Sequence, residues 1–428
     1  MTPNSRTASG SVVTTSVPAL VIGGIGIVRS LGEEGIPVYA GSDIRDNHIL
    51  YSRYVSRKVF FPDLHGREFI DQLIALSKKE GRKLMFFSDD DRAILTFSQH
   101  QEELRPHYYF TIPPAEMVDA ILDKRKFADM ARELDLSVPW SLSPKTVAEL
   151  EALLPQVTYP CIIKPSHKDD WWSPKFARLI GAYRKAIGCH TREELLDVFP
   201  KVMQVSPNVL LQELVEGDDS QLYSINMYFD RDSNLKGYYS AHKHRTYPIH
   251  AGQGCLVETV KDEEILRISM ETAKKLRMVG LCNMQYKRDK NGLLKIMELH
   301  IRNSVWNYLG KASGMNLYYY AYLDQQGFSY PYPNDYETGV KFLDLKRDIK
   351  ALFAYRKTGE WTLARGLKSW RGRKIFHILN ARDPLPFFAD AWFELRHHMF
   401  RRSATADQPQ FGPYGPAAPE NEAVARRE

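Results

Sequence analysis

The first third of the chain alternates short apolar runs with longer amphipathic ones, and this alternation constrains the fold more than any other feature. The apolar runs that predict strands are PALVIGG, IPVYAGSD, KVFFP, KLMFFSDD and HYYFTIP. The segments between them that predict helices are IGIVRSLGEEG, REFIDQLIALSKKEG and RAILTFSQHQEEL. Strands that alternate with helices indicate an open parallel sheet covered by helices. We therefore expect an α/β domain over residues 17–115.

The pattern changes after this domain, and residues 116–330 predict an α+β domain. Helices are expected at TVAELEALLPQV, TREELLDVFPKVM and DEEILRISMETAKKLRM, and short strands at YPCIIKPS and NVLLQELVEGDD. The segments SINMYFDRDSNLKGYYSAH and GLCNMQYKRDKNGLLKIMELHIR each read as a hairpin. These elements indicate antiparallel sheets with helices packed against them.

Composition limits the number of domains and suggests the character of the terminal segments. At 428 residues with 43% hydrophobic content, the chain has room for two or three globular domains. We expect a disordered leader over residues 1–16, a basic, mainly helical region over 331–402 and a disordered tail over 403–428. The four scattered cysteines form no C-x-x-C pair, and the leader lacks a signal-peptide pattern, so a cytoplasmic location is the simplest expectation.

The net charge of +6 arises from one region of the chain. Between Lys341 and Arg402 there are 15 Lys and Arg residues against 6 Asp and Glu residues. The remainder is slightly acidic, which argues against a nucleic-acid groove through the main body. In the basic region, GEWTLARGLKSWRGRKIF and the amphipathic segment DPLPFFADAWFELRHHMFRR predict an interaction surface. It would suit an anionic membrane, including the inner face of the cell membrane, or a partner protein, or it could pack on the body of the protein itself.

A glycine-rich turn near the N-terminus raises the alternative of a dinucleotide-binding protein. Gly24 and Gly26 match the first two glycines of G-x-G-x-x-G, and Asp43 ends the next strand where a ribose-binding acid belongs. Arg29, however, stands at the third glycine position, where close packing of helix and strand normally requires a small residue. The motif is therefore weak evidence for NAD.

The second hairpin concentrates polar side chains on one face. Asn291-Gly292 predicts a two-residue turn, and counting outward from it pairs Gln285 with Glu298 and places His300 opposite Asn283. Alternating residues could simply face water. The hydrogen-bonding capacity of this face is too great for an ordinary solvated strand, and Arg302 extends it. We therefore expect a functional site here.

This hairpin resembles the metal-binding hairpin of the ATP-grasp superfamily, and other landmarks follow in that superfamily's order over roughly residues 17–327. They are DKRKFADMARELDLSVP, YPCIIKP, LLQELVEG and HKHRTYP, and together they most resemble the carboxylate–amine ligases, including D-aspartate ligase-like and carbamoyl-phosphate synthetase-like proteins. The resemblance implies a Rossmann-like pre-ATP-grasp domain before the ATP-grasp domain, and it implies ATP binding by Lys124, Lys164, Gln212, Glu213, Leu214 and Glu216. It further implies Mg²⁺ ligands at Gln285, Glu298 and His300, and substrate or phosphate contacts at Lys243, Arg245 and Arg302.

Two residues of the metal face depart from the pattern of the superfamily. Asn is usual where His300 stands, and an acid is common where Gln285 stands. Imidazole suits Mn²⁺ better than Mg²⁺, which prefers oxygen ligands, so Mn²⁺ is an alternative metal.

The resemblance implies an enzyme that uses ATP to join a carboxylate to an amine through an acyl phosphate. Its expected partners are small molecules, such as amino acids or envelope precursors, and a homodimer is an alternative assembly. A second hypothesis is an ATP-binding module with little or no catalysis, and a dehydrogenase remains a more distant third.

Overall fold

The computed structural model describes residues 17–166, 171, 174–180, 186–250, 252–333 and 335–400. The predicted leader and the predicted C-terminal tail lie outside these residues, as does most of the loop after Lys164. Three sheets, of five, four and seven strands, organise the described part of the chain.

The N-terminal region contains the predicted parallel sheet with its covering helices. Its strand order is β3-β2-β1-β4-β5, which is the order of a doubly wound sheet, and every neighbouring pair is parallel. The strands are β1 (Ala19–Ile22), β2 (Val38–Ser42), β3 (Val55–Phe60), β4 (Leu84–Ser88) and β5 (Tyr108–Tyr109). The helices are α1 (Ile25–Gly32), α2 (Gly66–Glu80), α3 (Asp91–Gln99) and α4 (Gln101–Leu104). The α/β prediction is confirmed.

A four-stranded antiparallel sheet follows in the order β6-β9-β7-β8. Two helices, α5 (Ala115–Leu122) and α6 (Lys124–Glu133), lead into it. The strands are β6 (Ser141–Leu142), β7 (Cys161–Pro165), β8 (Ile187–Cys189) and β9 (Val209–Glu213), and the helices are α7 (Val147–Leu153), α8 (Pro174–Ile180) and α9 (Arg192–Met203). Apolar side chains of β7, β8 and β9 form one core with α9, and polar residues such as Lys164 and Glu213 follow at the ends of these strands.

The largest sheet has seven strands in the order β14-β13-β10-β11-β12-β15-β16. The elements of its main part are β10 (Leu222–Phe229), β11 (Leu235–Tyr247), β12 (Gln253–Val260), α10 (Glu263–Leu276), β13 (Gly280–Arg288), β14 (Leu294–His300), α11 (Tyr308–Ala312) and α12 (Leu317–Gln325). The tyrosine-rich helix α12 packs in one apolar core with β1, α1 and β11, which joins the large sheet to the N-terminal domain.

The C-terminal region contributes strands as well as helices, beyond what its sequence predicted. It contains β15 (Lys341–Leu343), α13 (Leu345–Lys357), α14 (Leu363–Ser369), β16 (Lys374–Phe376) and α15 (Leu385–Phe400). Strand β15 pairs with β12, and β16 pairs in parallel with β15, so the region extends the central sheet and is more than a helical appendage.

The turn of the β13–β14 hairpin differs from the predicted two-residue loop. Asp289 and Leu293 close a loop of three residues, in which Gly292 has a φ of 81°. A left-handed glycine at the end of a three-residue loop is a common hairpin solution. A β-bulge between Gln285 and Tyr286 then shifts the register by one residue. The two changes cancel, so Gln285 still pairs with Glu298 and Asn283 with His300, as predicted.

Candidate nucleotide-binding active site

Two lysines predicted to bind phosphate lie at the end of β7. The side chain of Asp123 accepts hydrogen bonds from the first turn of α6, which fixes Lys124 as the first residue of that helix. Lys124 Nζ donates to the carbonyl of Pro165 at 3.3 Å. Lys164 Nζ donates to Oε1 of Gln212 on β9 at 2.8 Å, and Gln212 in turn donates to the Ser141 hydroxyl at 3.0 Å. Helix α6 and strand β7 therefore bring two lysine side chains to the same end of the small sheet.

The large sheet presents a third cation together with the predicted metal ligands. Lys243 Nζ donates to Oε1 of Gln285, and the Gln285 amide nitrogen lies 3.1 Å from His300 Nε2. The same His300 nitrogen lies 3.2 Å from Glu298 Oε2. Strands β11, β13 and β14 thus bring four of the predicted residues into one hydrogen-bonded chain.

The electrostatics of these groups indicate that the two sheets face each other here, and we call the space bounded by Lys164, Lys243 and Glu298 the cleft. Burial lowers the pKa of Lys164 to about 8, Lys124 acts in the same direction, and the Glu298 carboxylate opposes the shift. Burial also lowers the pKa of Lys243, again against the pull of Glu298. Because the charge of Glu298 acts on lysines from both sheets, the three side chains lie close enough to interact. A bound polyanion would stabilise the charged forms of the two lysines.

Glu298 remains ionised in this environment. Burial by itself raises its pKa, but the His300 hydrogen bond and the charges of His300, Lys243 and Lys164 outweigh burial and hold the pKa well below its usual range. The side chain is nevertheless 57% exposed. We therefore place this carboxylate in an open cleft, surrounded by protein groups yet accessible to solvent and to a ligand, where screening moderates these interactions.

The fit to a metal ion is partial. Glu298 supplies one accessible carboxylate, which together with nucleotide phosphates and water is a common way to hold Mg²⁺. The amide oxygen of Gln285 accepts from Lys243 and would have to exchange this partner to bind a metal. Within the described ranges, no group of three or more His, Cys, Asp or Glu side chains is arranged to hold a metal ion. The ligand set Gln285, Glu298 and His300 therefore stays a prediction.

The predicted adenine edge lies at the end of β9. Glu213 accepts from Lys295 Nζ and, at 3.3 Å, from the Trp140 backbone N–H. The Leu214 N–H donates to the Pro160 carbonyl at 3.2 Å, so this donor is already used. Glu216 pairs with Lys290 at 2.9 Å on the hairpin turn. These contacts hold the edge in place, and the nucleotide roles of the three residues remain predictions.

Arg302 lies where the large sheet meets the N-terminal domain. Its guanidinium binds both carboxylate oxygens of Asp91, at 2.6 and 3.2 Å, in the first turn of α3. Nearby, Asp89 accepts two 3.0 Å contacts from the Gly24 N–H, and burial raises the Asp89 pKa to about 6. The prediction of a substrate-facing Arg302 overlooked these acids. The run SDDD at the carboxyl end of β4 was the available signal, since ligands of open α/β sheets bind at that edge.

Arg245 differs from its predicted role in contacting phosphate or substrate. Its guanidinium is 0% exposed and binds Asp348 of α13 at 2.8 and 2.6 Å. The β11–β12 register shifts between Lys243 and Arg245, and such a bulge interrupts the alternation of side chains. Lys243 therefore reaches the cleft while Arg245 reaches the C-terminal region. In this arrangement Arg245 is a structural residue.

The glycine-rich turn also has a different environment from a dinucleotide site. A Cβ on Gly26 would lie 2.3 Å from the Asn307 side chain, so this glycine permits close packing of α1 against the start of α11. Arg29 is 1% exposed and pairs with the fully buried Asp383 at 3.0 Å. Asp43 pairs with Arg92 at 2.9 Å. The residues that suggested NAD binding are occupied by contacts within the chain.

No protein-family model matches the chain. Among curated proteins, the D-aspartate ligase of Enterococcus faecium is 24% identical over 280 residues, which are 62% of this chain and 65% of that protein. The arginine-specific carbamoyl phosphate synthase large chain of Eremothecium gossypii is 28% identical over 213 residues, or 47% of this chain and 18% of that protein. The chain thus spans less than two thirds of either relative.

Solved structures share the architecture at low sequence identity. N5-carboxyaminoimidazole synthetase from Staphylococcus aureus superposes with a TM-score of 0.58 at 11% identity, covering 75% of this chain and 80% of that one. Biotin carboxylase from Campylobacter jejuni gives a TM-score of 0.57 at 13% identity, with 76% and 74% covered. L-amino acid ligase from Bacillus licheniformis gives 0.51 at 16% identity, with 70% and 72% covered. The predicted fold is confirmed: the chain has the fold of these ATP-grasp enzymes, and its sequence is similar to that of a carboxylate–amine ligase.

Proposed function

We propose that this protein is an ATP-dependent ligase that joins a carboxylate to an amine and releases ADP and phosphate. The observation that carries the proposal is the chain of hydrogen bonds from Lys243 through Gln285 and His300 to the exposed carboxylate of Glu298, on which the charge of Lys164 from the small sheet also acts. Buried cations can neutralise the oxygens of a polyphosphate, and an accessible acid beside them can hold its divalent metal. The S. aureus synthetase has also been solved with ADP, which supports nucleotide binding by a protein of this fold.

In the proposed reaction, a carboxylate oxygen attacks the γ-phosphorus of ATP, and the bond from that phosphorus to the bridging oxygen of ADP breaks. The amine nitrogen then attacks the acyl carbon of the acyl phosphate, and a tetrahedral intermediate forms. Phosphate leaves as the amide forms, and the amine proton passes to solvent. The protein's contribution is positioning and charge stabilisation, with no covalent intermediate on the chain.

Each cleft residue has a role in this scheme. Lys124, Lys164 and Lys243 neutralise phosphate oxygens, and Gln212 orients the Lys164 ammonium. Glu298, with Gln285 and His300 beside it, would hold the metal, whose charge would stabilise the transferring phosphoryl group. Glu213, Leu214 and Glu216 border the nucleoside. Arg302 grips the carboxylate or acyl phosphate after exchanging Asp91 for the substrate.

The substrates are proposed only as classes: a small carboxylate and an amine, with amino acids and envelope precursors as the first to test. The names of the E. faecium ligase and the B. licheniformis ligase support amino acids. A homodimer remains a prediction that light scattering after gel filtration would test.

A second candidate function is an ATP-binding module with weak or no ligation. It is favoured by the contacts that occupy Gln285 and Arg302, because both residues would have to change partners before catalysis.

An ADP-release screen separates the two functions. Purified protein is incubated with ATP, Mg²⁺ or Mn²⁺, and pairs drawn from amino acids, other amines and small carboxylates. The ligase proposal predicts ADP release that requires both substrates, with amide product in equal amount by mass spectrometry. The Glu298→Gln protein is the control for contaminating ATPases. If ATP binds in a calorimeter but no pair releases ADP above that control, the binding module is the better account.

A further inference from the structure

The outer face of α15 carries large apolar side chains that the rest of the chain leaves uncovered. Leu385, Phe388, Trp392 and Leu395 recur at helical spacing and are 57, 62, 56 and 52% exposed. Contiguous exposed apolar patches are unusual on soluble proteins, and where they occur they generally mark an interaction site.

The opposite face of the same helix is firmly attached to the N-terminal domain. Phe393 is 9% exposed, and the centroid of its ring lies 5.7 Å from that of the Tyr51 ring. Asp390 lies 3.5 Å from His48, and Arg396 pairs with Asp46. The helix is therefore held in one orientation, and its apolar row points away from the body of the protein.

Helices α13 and α14 also expose apolar side chains. On α13, Leu345, Ile349 and Phe353 recur every fourth residue and are 41, 40 and 52% exposed. An ion pair between Lys346 and Glu394 joins this helix to α15. On the other side, α14 packs through Gly366 against Leu352 of α13 and exposes Leu367.

The charges around these rows are unbalanced. Residues 341–400 contain six acids, and each has a basic partner: Asp344 with Arg347 and His377, Asp348 with Arg245, Glu360 with His250, Asp383 with Arg29, Asp390 with His48, and Glu394 with Lys346. Several exposed cations have no carboxylate partner in the part of the chain that the structure describes: Lys350, Arg356, Lys357, Lys368 and Arg371. The surface that carries the apolar rows is thus also strongly positive.

We propose that this C-terminal surface, formed by the exposed faces of α13, α14 and α15, binds the anionic headgroup layer of a lipid bilayer. Aromatic and aliphatic side chains can enter the boundary between headgroups and acyl chains, while lysine and arginine attract anionic lipids. The charge complementarity favours a lipid surface over a second copy of the chain, whose equally positive face would repel it. No helix in the described ranges is long and apolar enough to cross a membrane, so the contact is peripheral.

The test is flotation of the full-length protein with vesicles. Phosphatidylcholine vesicles containing phosphatidylglycerol are compared with vesicles of phosphatidylcholine alone, at low and high salt. The protein should float with the anionic vesicles only, and high salt should weaken the binding, because screening shortens the range of the attraction.

Two double variants separate the apolar and the charged contributions. Phe388→Ser/Trp392→Ser should lower the vesicle partition coefficient by about tenfold or more, since both side chains lose apolar burial in the bilayer. Lys357→Glu/Lys368→Glu should lower it by at least about tenfold on anionic vesicles, since each lysine near the surface contributes to the attraction.

Matched controls lie on other faces of the molecule. Leu293→Ser removes an apolar side chain that is 59% exposed on the hairpin turn, and Lys78→Glu/Lys79→Glu reverses two exposed charges on α2. Both controls should float like the wild type. Equal flotation of all variants would overturn the proposal. So would a wild type that fails to float and instead forms a dimer that Trp392→Ser disrupts, because a second copy would then cover this face.

Discussion

The β13–β14 hairpin and strand β11 each contain a register shift, but the shift has opposite consequences for their motifs. In the hairpin it lies between the turn and the site, and it compensates for the longer turn, so Gln285 and Glu298 still pair. In β11 it falls inside the motif, between Lys243 and Arg245, and the register shifts back between Arg245 and Thr246. One strand therefore keeps its predicted polar face, and the other sends two neighbouring cations to different parts of the molecule.

The position of a bulge relative to a motif decides whether strand alternation predicts function. Lys243 and Arg245 look equivalent in sequence, as cations two residues apart on one strand. In the structure, Lys243 donates a hydrogen bond to Gln285 in the cleft, whereas Arg245 pairs with the buried Asp348. Their substitution should therefore affect different quantities.

The largest effect is expected from Arg245→Ala. It leaves the fully buried Asp348 without its guanidinium, and an unpaired buried carboxylate lowers the free energy of unfolding by about 3–5 kcal/mol. Chemical denaturation measures this loss. Where the variant is still folded, its ATP affinity should equal that of the wild type. The double variant Arg245→Leu/Asp348→Leu is the control and should recover much of the stability, since it removes both charges. A stable Arg245→Ala protein with weakened ATP binding would restore Arg245 to the cleft.

Glu298→Gln should have the next largest effect, on turnover. The change preserves shape and removes the carboxylate charge that would secure the metal, so metal-dependent ADP release should fall about a hundredfold or more, equivalent to 2–3 kcal/mol. Glu103→Gln, on the surface of α4, is the matched control and should retain full activity. Undiminished Mg²⁺-dependent turnover in Glu298→Gln would mean that this acid serves no metal.

The pH dependence of ATP binding should report Lys164. Its pKa of about 8 in the nucleotide-free protein means that it is largely protonated below that pH and increasingly neutral above it. Only the ammonium attracts phosphate, so ATP affinity should fall as the pH rises from 8, and binding near pH 8–9 should take up protons. Calorimetry in buffers of different ionisation enthalpy measures this uptake. If Lys164→Met takes up as many protons on binding ATP as the wild type, another group is responsible, and Lys243 is the first to test.

The smallest effect is expected from His300→Asn, which introduces the residue usual in the superfamily. If His300 binds the metal, the ratio of Mn²⁺- to Mg²⁺-supported activity should move toward Mg²⁺, because an amide oxygen replaces an imidazole nitrogen. Titration of activity with each metal measures the ratio. An unchanged ratio would show that His300 acts only through its hydrogen bonds to Glu298 and Gln285.

Much of the fold was predictable because its signals are local. Alternating strands and helices indicated the parallel sheet of β1 to β5, and ordered motifs indicated the ATP-grasp region that follows. The cleft was partly predictable for the same reason: Lys164 ends a buried strand, and Glu298 lies on a strand with a strong hairpin signal. These features depend on residues close together in the chain.

The remaining features depend on contacts between distant residues. Arg245 meets Asp348 from 103 positions away, and Arg29 meets Asp383 from 354 positions away. No periodicity marks such pairs, and the bulge that separates Lys243 from Arg245 has no glycine or proline within it to reveal it. The strands β15 and β16 were missed because each has only three residues and pairs at the edge of a sheet formed earlier in the chain.

The most direct test of the central claim is calorimetric titration of Lys164→Ala with ATP and Mg²⁺. If the lysines of the cleft bind phosphate and Arg245 instead stabilises the C-terminal region, Lys164→Ala should lose about 2–3 kcal/mol of binding free energy, or roughly 30- to 150-fold in affinity, as expected for a charged hydrogen bond to phosphate. The thermal unfolding of the variant should remain that of the wild type. An ATP affinity equal to that of the wild type in a folded Lys164→Ala protein would contradict the account.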